Sequence, residues 1–381
     1  MIVVRRRLGR VTSLMTKAHQ HRPPFLPHLS AIGVLIAMRE PEFNAILSQL
    51  QSQPPADLSA DQMRGLIAWF LSGEASEDQT LLFLERHSQK GESIDELVGA
   101  AQALRSSMKT IQCPHEVVVD TCGTGGDGSK TFNISTAAAI ACAAAGTPVA
   151  KHGNRKVTSS TGSADVLSEL GVNLEATAPT VESCLDQLGI CFLFAPHFHP
   201  AMKHVGPARR ALGRPSIFNR LGPLANPAQV GYQVLGVGDL ALQDKLAAAL
   251  QKLGTKRSIV VRSEDGVDEI SLSTATRVLE VTSDSIVEHR WSPSDFGVAE
   301  ADRDELFADD PASSAACIRS VLAGEKSPKR DVVVLNAAAA LWIAGRADEL
   351  DACARLVEAA LDAGTAQAVV ERLGQQTSAS S

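Results

Sequence analysis

Acidic residues are missing from the first 39 positions of this 381-residue chain; the first is Glu40. Arg5, Arg6, Arg7, Arg10, Lys17 and Arg22 all fall in that stretch. An arginine-rich, acid-poor leader has the composition of a transit peptide, and equally of a disordered tail or of residues upstream of the true start. Paired cysteine motifs are also missing. Cys113, Cys122, Cys142, Cys184, Cys191, Cys317 and Cys353 are odd in number and form no C-x-x-C. That spacing argues against a zinc site and for reduced thiols in a cytoplasmic protein. No run approaches the ~20 apolar residues a membrane span needs, and there is no internal repeat or long low-complexity segment. A basic excess is absent too. The formal net charge is -7, which argues against nucleic acid as the main partner. Hydrophobic residues make up 44% and charged residues 21%, the balance of a folded protein with a substantial core.

The pattern predicts two kinds of structure. From about Glu40 to Ser107 three capping boxes recur, Ser59 with Gln62, Ser76 with Gln79 and Ser93 with Glu96, each satisfying orphan N–H groups at a helix start. Met63, Leu66, Ile67, Phe70 and Leu71 follow the spacing of one apolar helix face, and Gly73 and Gly91 end the first two helices. From Val117 onward short strands alternate with helices. The strands are expected at Val117–Val119, Pro148–Ala150, Cys191–Phe194, Gln233–Val237 and Ser258–Val261. Helices are expected at Ser135–Ala145, Ala164–Leu170, Val181–Leu188, Ala201–Leu212, Leu240–Leu253 and, Ala-rich, from Asp331 to Leu373. The expected fold class is α/β: a large domain with a mostly parallel central sheet covered by helices, plus a small all-helical N-terminal domain. The expected boundaries are a disordered basic leader at 1–36, the helical domain at 37–112, the α/β domain at 113–376 and a tail at 377–381. A helix near 203–222 is expected to pack with the small domain.

Most chemistry is concentrated in the run Asp120-Thr-Cys-Gly-Thr-Gly-Gly-Asp-Gly-Ser-Lys-Thr-Phe-Asn-Ile-Ser-Thr136. It follows a strand and opens an Ala-rich helix. Glycines let a ligand approach the backbone, and a helix start offers N–H groups and a positive dipole end to phosphate. Gly123 to Gly128 fits G-x-G-x-x-G, but the next strand leads into Lys151-His152 where a dinucleotide site wants an acid. Gly128-Ser-Lys-Thr131 has Ser129 where a P-loop wants glycine. A second cluster, Lys151-His-Gly-Asn-Arg-Lys-Val-Thr-Ser-Ser-Thr-Gly-Ser163, gathers cations and hydroxyls after another strand. It reads either as an anion site or as a solvated basic loop.

These motifs together resemble the anthranilate phosphoribosyltransferases, phosphoribosyltransferases of the nucleoside phosphorylase-like family. The resemblance is carried by Gly123-Thr-Gly-Gly-Asp127, Asn133-Ile-Ser-Thr136, Lys151-His-Gly-Asn154 and Gly162-Ser-Ala-Asp-Val166. It continues through His199-Pro-Ala-Met202, Ile217-Phe-Asn219, Leu221-Gly-Pro-Leu224 and Val267-Asp-Glu-Ile270. It spans about Glu42 to Leu373, in the family's order. Three departures stand out: Ser273-Thr-Ala-Thr276 in place of a Gly-Pro before the threonine, Arg220 in place of an apolar residue, and a polar Leu84–Gly91 segment.

The resemblance implies transfer of a phosphoribosyl group from 5-phosphoribosyl 1-pyrophosphate (PRPP) to anthranilate, the second step from chorismate to tryptophan, with Mg2+ and as a homodimer. It implies that Gly123, Gly126, Asp127, Thr131, Asn133, Ile134, Ser135, Thr136, Lys151, His152, Gly153, Asn154, Ser159 and Ser163 hold PRPP. Gly123, Asn154, His152 and Arg209 would take anthranilate, Arg209 through the carboxylate. Ser135, Asp268 and Glu269 would bind the metal directly or through water. Without the resemblance, Arg209 reads as a surface arginine beside Arg210, and Asp268-Glu269 as a solvated turn. His199 and His204 read as packing or supporting groups, and no residue stands out as a general base. The resemblance favours a cytoplasmic enzyme, import through the leader being left open. The rival readings are a pyrimidine nucleoside phosphorylase-like enzyme and a non-catalytic nucleic-acid-binding relative.

Overall fold

Serine side chains start three of the first four helices. In the computed structural model, which describes residues 38–125, 128–155 and 161–379, α1 is Glu40–Leu50, α2 Ala60–Ser72, α3 Glu77–Lys90 and α4 Ile94–Ser107. Ser59, Ser76 and Ser93 each accept a backbone N–H from the residue three later, and that residue's side chain accepts the serine's own N–H. Met63, Leu66, Ile67, Phe70 and Leu71 are all buried. The leader and its expected disorder lie outside the described residues.

After α4 come β1 (Val119–Gly123), α5 (Ile134–Ala144), β2 (Val149–Gly153), α6 (Ser163–Glu169), α7 (Ala178–Leu188), β3 (Ile190–Phe194), α8 (Ala195–Phe198) and α9 (Gly206–Leu212). They are followed by β4 (Tyr232–Gly236), α10 (Leu240–Lys252), β5 (Arg257–Ser263), β6 (Thr276–Thr282) and β7 (Ile286–Trp291). Helices α11 (Pro311–Leu322), α12 (Pro328–Ile343), α13 (Leu350–Asp362) and α14 (Thr365–Ser378) complete the chain.

The seven strands form one sheet in the order β3-β2-β1-β4-β5-β6-β7. The first five are mutually parallel, and β6 and β7 are added antiparallel. Successive strand residues face opposite sides. Val234, Ile259 and Val261 enter the core covered by α5, α12 and α13, whereas Leu235 and Val260 enter the core shared with α2, α4 and α10. The helical part is therefore continuous in its packing with one face of the sheet. That second core also takes Val205, Ala208, Ile217, Phe218 and Leu221, so the segment after β3 packs with the N-terminal helices.

Three expectations change. The helix expected over Ala201–Leu212 is a 3-10 turn at Pro200–His204 followed by α9. Pro207, with no N–H to give and a ring that crowds the preceding turn, makes the chain restart its helix there. Strands β6 and β7 and helix α11 were not expected from the pattern. At the C-terminus α14 continues past residue 376. Thr377 is buried, and its hydroxyl accepts the N–H of Asn173 at 3.1 Å.

Candidate active site

Because β2 and β4 lie on either side of β1, the chain direction across the sheet reverses there. Crevices at such a reversal, beyond the carboxyl ends of the strands, are where α/β sheets bind ligands. The glycine loop leaves β1 at this point. Thr124 N–H donates to the Gly236 carbonyl at 2.9 Å, tying the loop to the end of β4. Gly125 has φ 67, which glycine adopts without strain, and its N–H donates to Asp268 Oδ2 at 3.0 Å. Gly126 and Asp127 lie outside the described residues.

Helix α5 begins where the loop ends. Ser135 N–H donates to Glu269 Oε1 at 3.2 Å. Asn133 precedes the helix, and its Oδ1 accepts Thr161 Oγ1–H at 2.6 Å and Ser314 Oγ–H at 2.8 Å. Ser314 Oγ in turn accepts Asn133 N–H at 3.0 Å. Ser314 is fully buried on α11. Sequence reading missed it, because its only signal is a contact 181 residues away. Thr131 faces Phe307 in an isolated bridge that props the loop from outside.

Strand β2 delivers the second cluster. Lys151 Nζ donates to the Thr121 carbonyl and lies 3.4 Å from Ser135 Oγ. Burial pushes the Lys151 ammonium below its ordinary pKa, and the nearby Asp120 carboxylate opposes that shift. Asp120 is itself raised by burial, with the Lys151 charge opposing. Its carboxylate accepts His152 N–H at 3.2 Å, Asn226 Nδ2–H at 2.8 Å and Gln233 Nε2–H at 3.3 Å. Asp120 thus fixes the end of β2 from inside the sheet, a role its place in the sequence run did not announce.

His152 Nδ1 lies 3.0 Å from the Gly222 carbonyl, an acceptor that requires the proton on Nδ1. Its Nε2 then accepts from His199 Nε2–H at 3.2 Å. Burial lowers His152 to about 4 and, with His152 beside it, His199 to about 3. Both rings are neutral at physiological pH. His199 lies against the His152 ring, the centroids 5.0 Å apart, and so supports its orientation.

Two hollows meet along this ridge. A cleft of about 590 Å3 is lined by the glycine loop, the α5 start, Lys151, Ser163, Asp268 and Glu269. A neighbouring, more apolar pocket of about 420 Å3 is lined by Pro196, His199, Met202, Arg209, Phe218 and Pro223, among others. Gly123, Thr124, His152, Gly153 and Asn154 line both. Arg209, half-buried, holds its guanidinium 5.7 Å from the centre of the Phe218 ring, and burial lowers its pKa. Arg210 and Arg214 are exposed and line a different hollow, to which Arg209 also contributes.

Of the described residues expected for PRPP, Gly123, Thr131, Asn133, Ile134, Ser135, Lys151, His152, Gly153, Asn154 and Ser163 line the larger cleft, and Thr136 does not. Thr136 is buried within α5 behind it. Ser159 lies outside the described residues.

Asp268 and Glu269 come together at the cleft's edge because two glycines make room. A Cβ on Gly236 would fall well inside contact distance of the Asp268 carbonyl, and one on Gly123 inside that of its carboxylate. Gly236 was not singled out in the sequence. Among the described residues no group of three or more His, Cys, Asp or Glu is placed to hold a metal. What the site offers is two adjacent carboxylates beside a phosphate-sized cleft. This hard-oxygen set fits Mg2+, which takes few protein carboxylates and keeps its other positions for water and substrate phosphates.

Comparison with known proteins agrees over nearly the whole described chain. The helical bundle domain of a glycosyl transferase family matches residues 44–108, and its a/b domain matches residues 115–367. The anthranilate phosphoribosyltransferase of Rhodopirellula baltica is 46% identical over 319 residues, 84% of this chain and 93% of that one. That of Herpetosiphon aurantiacus is 47% identical over 320 residues, 83% of this chain and 94% of that one. The solved anthranilate phosphoribosyltransferase of Thermus thermophilus superposes with a TM-score of 0.82 at 36% identity, covering 88% of this chain and 99% of that one. The Saccharomyces cerevisiae enzyme, solved in complex with PRPP and Mg, gives a TM-score of 0.82 at 26% identity, covering 90% and 99%. The chain belongs to the anthranilate phosphoribosyltransferases.

Proposed function

We propose that this chain transfers the phosphoribosyl group of PRPP to anthranilate, releasing pyrophosphate. The observation that carries the reading is the junction of the two hollows at Gly123, Thr124 and His152–Asn154. One hollow is rich in backbone N–H groups and hydroxyls, suited to phosphates. The other is apolar with an arginine, suited to a flat aromatic carboxylate. The reacting carbon and nitrogen would meet between them.

The bond from ribose C1 to the pyrophosphate oxygen breaks as the anthranilate nitrogen bonds to C1, through an oxocarbenium-like state. The amine gives up one proton, which is released to solvent together with the pyrophosphate. Gly123, Gly126, Asp127, Thr131, Asn133–Ser135, Lys151–Asn154, Ser159 and Ser163 are assigned to PRPP, and Thr136, buried behind the cleft, is not. Arg209 pairs with the anthranilate carboxylate, and Asn154 and His152 bound the same pocket. Neutral His152, with both ring nitrogens engaged, shapes the pocket and carries no charge against C1. Ser135, Asp268 and Glu269 would hold Mg2+. Bound there, the metal neutralises charge developing on the pyrophosphate leaving group.

The family supports a homodimer, for which light scattering should give twice the chain mass. The seven unpaired thiols suit a cytoplasmic setting. The functional test is direct: protein, anthranilate, PRPP and Mg2+ should together deplete anthranilate fluorescence, and omission of any one should stop it. Phosphorolysis of a pyrimidine nucleoside without anthranilate turnover would overturn the reading in favour of a phosphorylase.

A further inference from the structure

Asp268 and Glu269 sit on the loop between β5 and β6, where no ladder bonds fix the backbone. Two side chains outside the acidic pair do that work. The Asp265 carboxylate accepts the hydroxyl of Ser263, those of Ser271 and Ser273 at 3.0 Å each, and the Val267 N–H at 3.4 Å. Ser263 ends β5, whereas Ser271 and Ser273 follow the acidic pair. One carboxylate therefore joins the chain before the pair to the chain after it. The Ser263 N–H also donates to the Val267 carbonyl, and the Ser263 hydroxyl oxygen lies 2.9 Å from that same carbonyl. On the far side, Asn336 of α12, almost fully buried, brackets the next residue. Its Oδ1 accepts Ile270 N–H at 3.0 Å, and its Nδ2 donates to the Ile270 carbonyl at 3.0 Å.

We propose that Asp265 is a positioning residue for the metal site, aiming Asp268 and Glu269 at the cleft against the fixed point made by Asn336. The inference rests on the assignment of Asp268 and Glu269 to Mg2+ made above. Hydroxyls converging on one carboxylate favour its ionised form, because charge-assisted bonds are roughly twice as strong as neutral ones. A loop of this length carrying two like charges side by side would otherwise spread them toward water. The cross-link keeps both turned inward, where Gly125 N–H meets Asp268 and Ser135 N–H meets Glu269. The serines at 271 and 273 thereby acquire a purpose. They supply two of the carboxylate's donors.

The test uses the full chain carrying Asp265→Asn, which keeps shape and removes one acceptor oxygen. Mn2+ serves as the probe, its free fraction read by electron paramagnetic resonance in the presence of PRPP. Groups that orient metal ligands typically change metal affinity 10–100-fold when altered, so Mn2+ binding should weaken by about tenfold or more. Anthranilate's KM and the melting temperature should stay near those of the unaltered chain. Unchanged Mn2+ affinity in the folded variant would overturn the proposal, and so would an equal loss toward anthranilate. If Asp265→Asn does not fold, Ser273→Ala removes a single donor. It should weaken Mn2+ in the same direction by less, and no change would again overturn the idea. The variant Asp268→Asn with Glu269→Gln separates the two readings. Lost Mn2+ binding there, with Asp265→Asn normal, removes only the positioning role. Normal Mn2+ binding in the double variant removes the metal assignment itself.

Discussion

Ser135 N–H donates to Glu269 Oε1 at 3.2 Å, joining the first turn of α5 to a loop 134 residues later in the chain. A helix start attracts a carboxylate through its unpaired N–H groups and dipole. The same helix start is the one proposed for the phosphates of PRPP, so under that proposal the acid and the substrate would share one electrostatic feature. Changing Asp268→Asn together with Glu269→Gln keeps shape and removes charge. Activation by Mg2+ should fall steeply while anthranilate binding stays nearly intact, as read by a Mg2+ titration of turnover and by anthranilate fluorescence. Ordinary Mg2+ dependence in the folded variant would mean that the pair is a solvated turn.

Gly236 tests the same junction from the sheet side. Its missing Cβ leaves room for the Asp268 backbone, and a backbone cannot swing aside as a side chain can. Gly236→Ala should therefore push the acidic loop outward, at a cost of about 1–3 kcal/mol in stability as for other overpacked sites. Activity should fall more than the fraction folded does. Gly171→Ala is the control, since nothing lies within 4 Å of its added Cβ while its positive φ strains the backbone. It should cost stability without disturbing Mg2+ activation.

Local signals were legible in the sequence, and distant contacts were not. The serine caps of α2, α3 and α4 show in four residues each, because cap and partner are three positions apart. The glycine loop and the Lys151–Asn154 run were equally visible. Each follows a strand, and their short, polar residues have few other uses at such density. Asn226, Gln233 and Ser314 gave no local sign, since what matters is a group each reaches far along the chain, Asp120 or Asn133. Strand β7 hid for a different reason. Ile286, Val287 and Glu288 are all exposed at the sheet's edge, so the strand lacks the one-sided apolar alternation by which a half-buried strand is read. The expected helix over 201–212 failed at Gly206-Pro207, where apolar periodicity continues through a break that backbone chemistry imposes.

Arg209, the residue proposed for the anthranilate carboxylate, belongs to only one of the two adjoining hollows. It lines the apolar pocket and does not line the phosphate cleft. Arg209→Ala should raise the anthranilate constant by on the order of 1.5–3 kcal/mol in binding, the usual value of a hydrogen bond to a charged group, and leave PRPP nearly unaffected. Steady-state kinetics with each substrate varied in turn provides the check. An unaltered anthranilate constant would shift the assignment to Arg210 or Arg214.

The helical part carries its own acid-sensitive joint at Glu96. This carboxylate is fully buried on α4. It accepts the Leu58 N–H at 2.9 Å, the Ser93 N–H at 2.8 Å and Lys90 Nζ–H at 2.9 Å, and its Oε2 lies 3.2 Å from His87 Nε2. Burial alone would raise its pKa, but these partners outweigh burial and bring it from 4.5 to about 2. A carboxyl lowered in the folded state stabilises that state once it is ionised in both states. The contribution is therefore complete above about pH 4.5, shrinks as pH falls and is gone near pH 2. By proton linkage it amounts to on the order of 3 kcal/mol at neutral pH. Glu96→Gln keeps the shape, abolishes the titration and leaves Lys90 and His87 without their anion. Chemical denaturation of the two proteins at pH 7 and at pH 3 should show a large stability gap at neutral pH that narrows in acid. A gap of constant size at both values would mean that the loss comes from packing and that Glu96 contributes no charge-dependent stability.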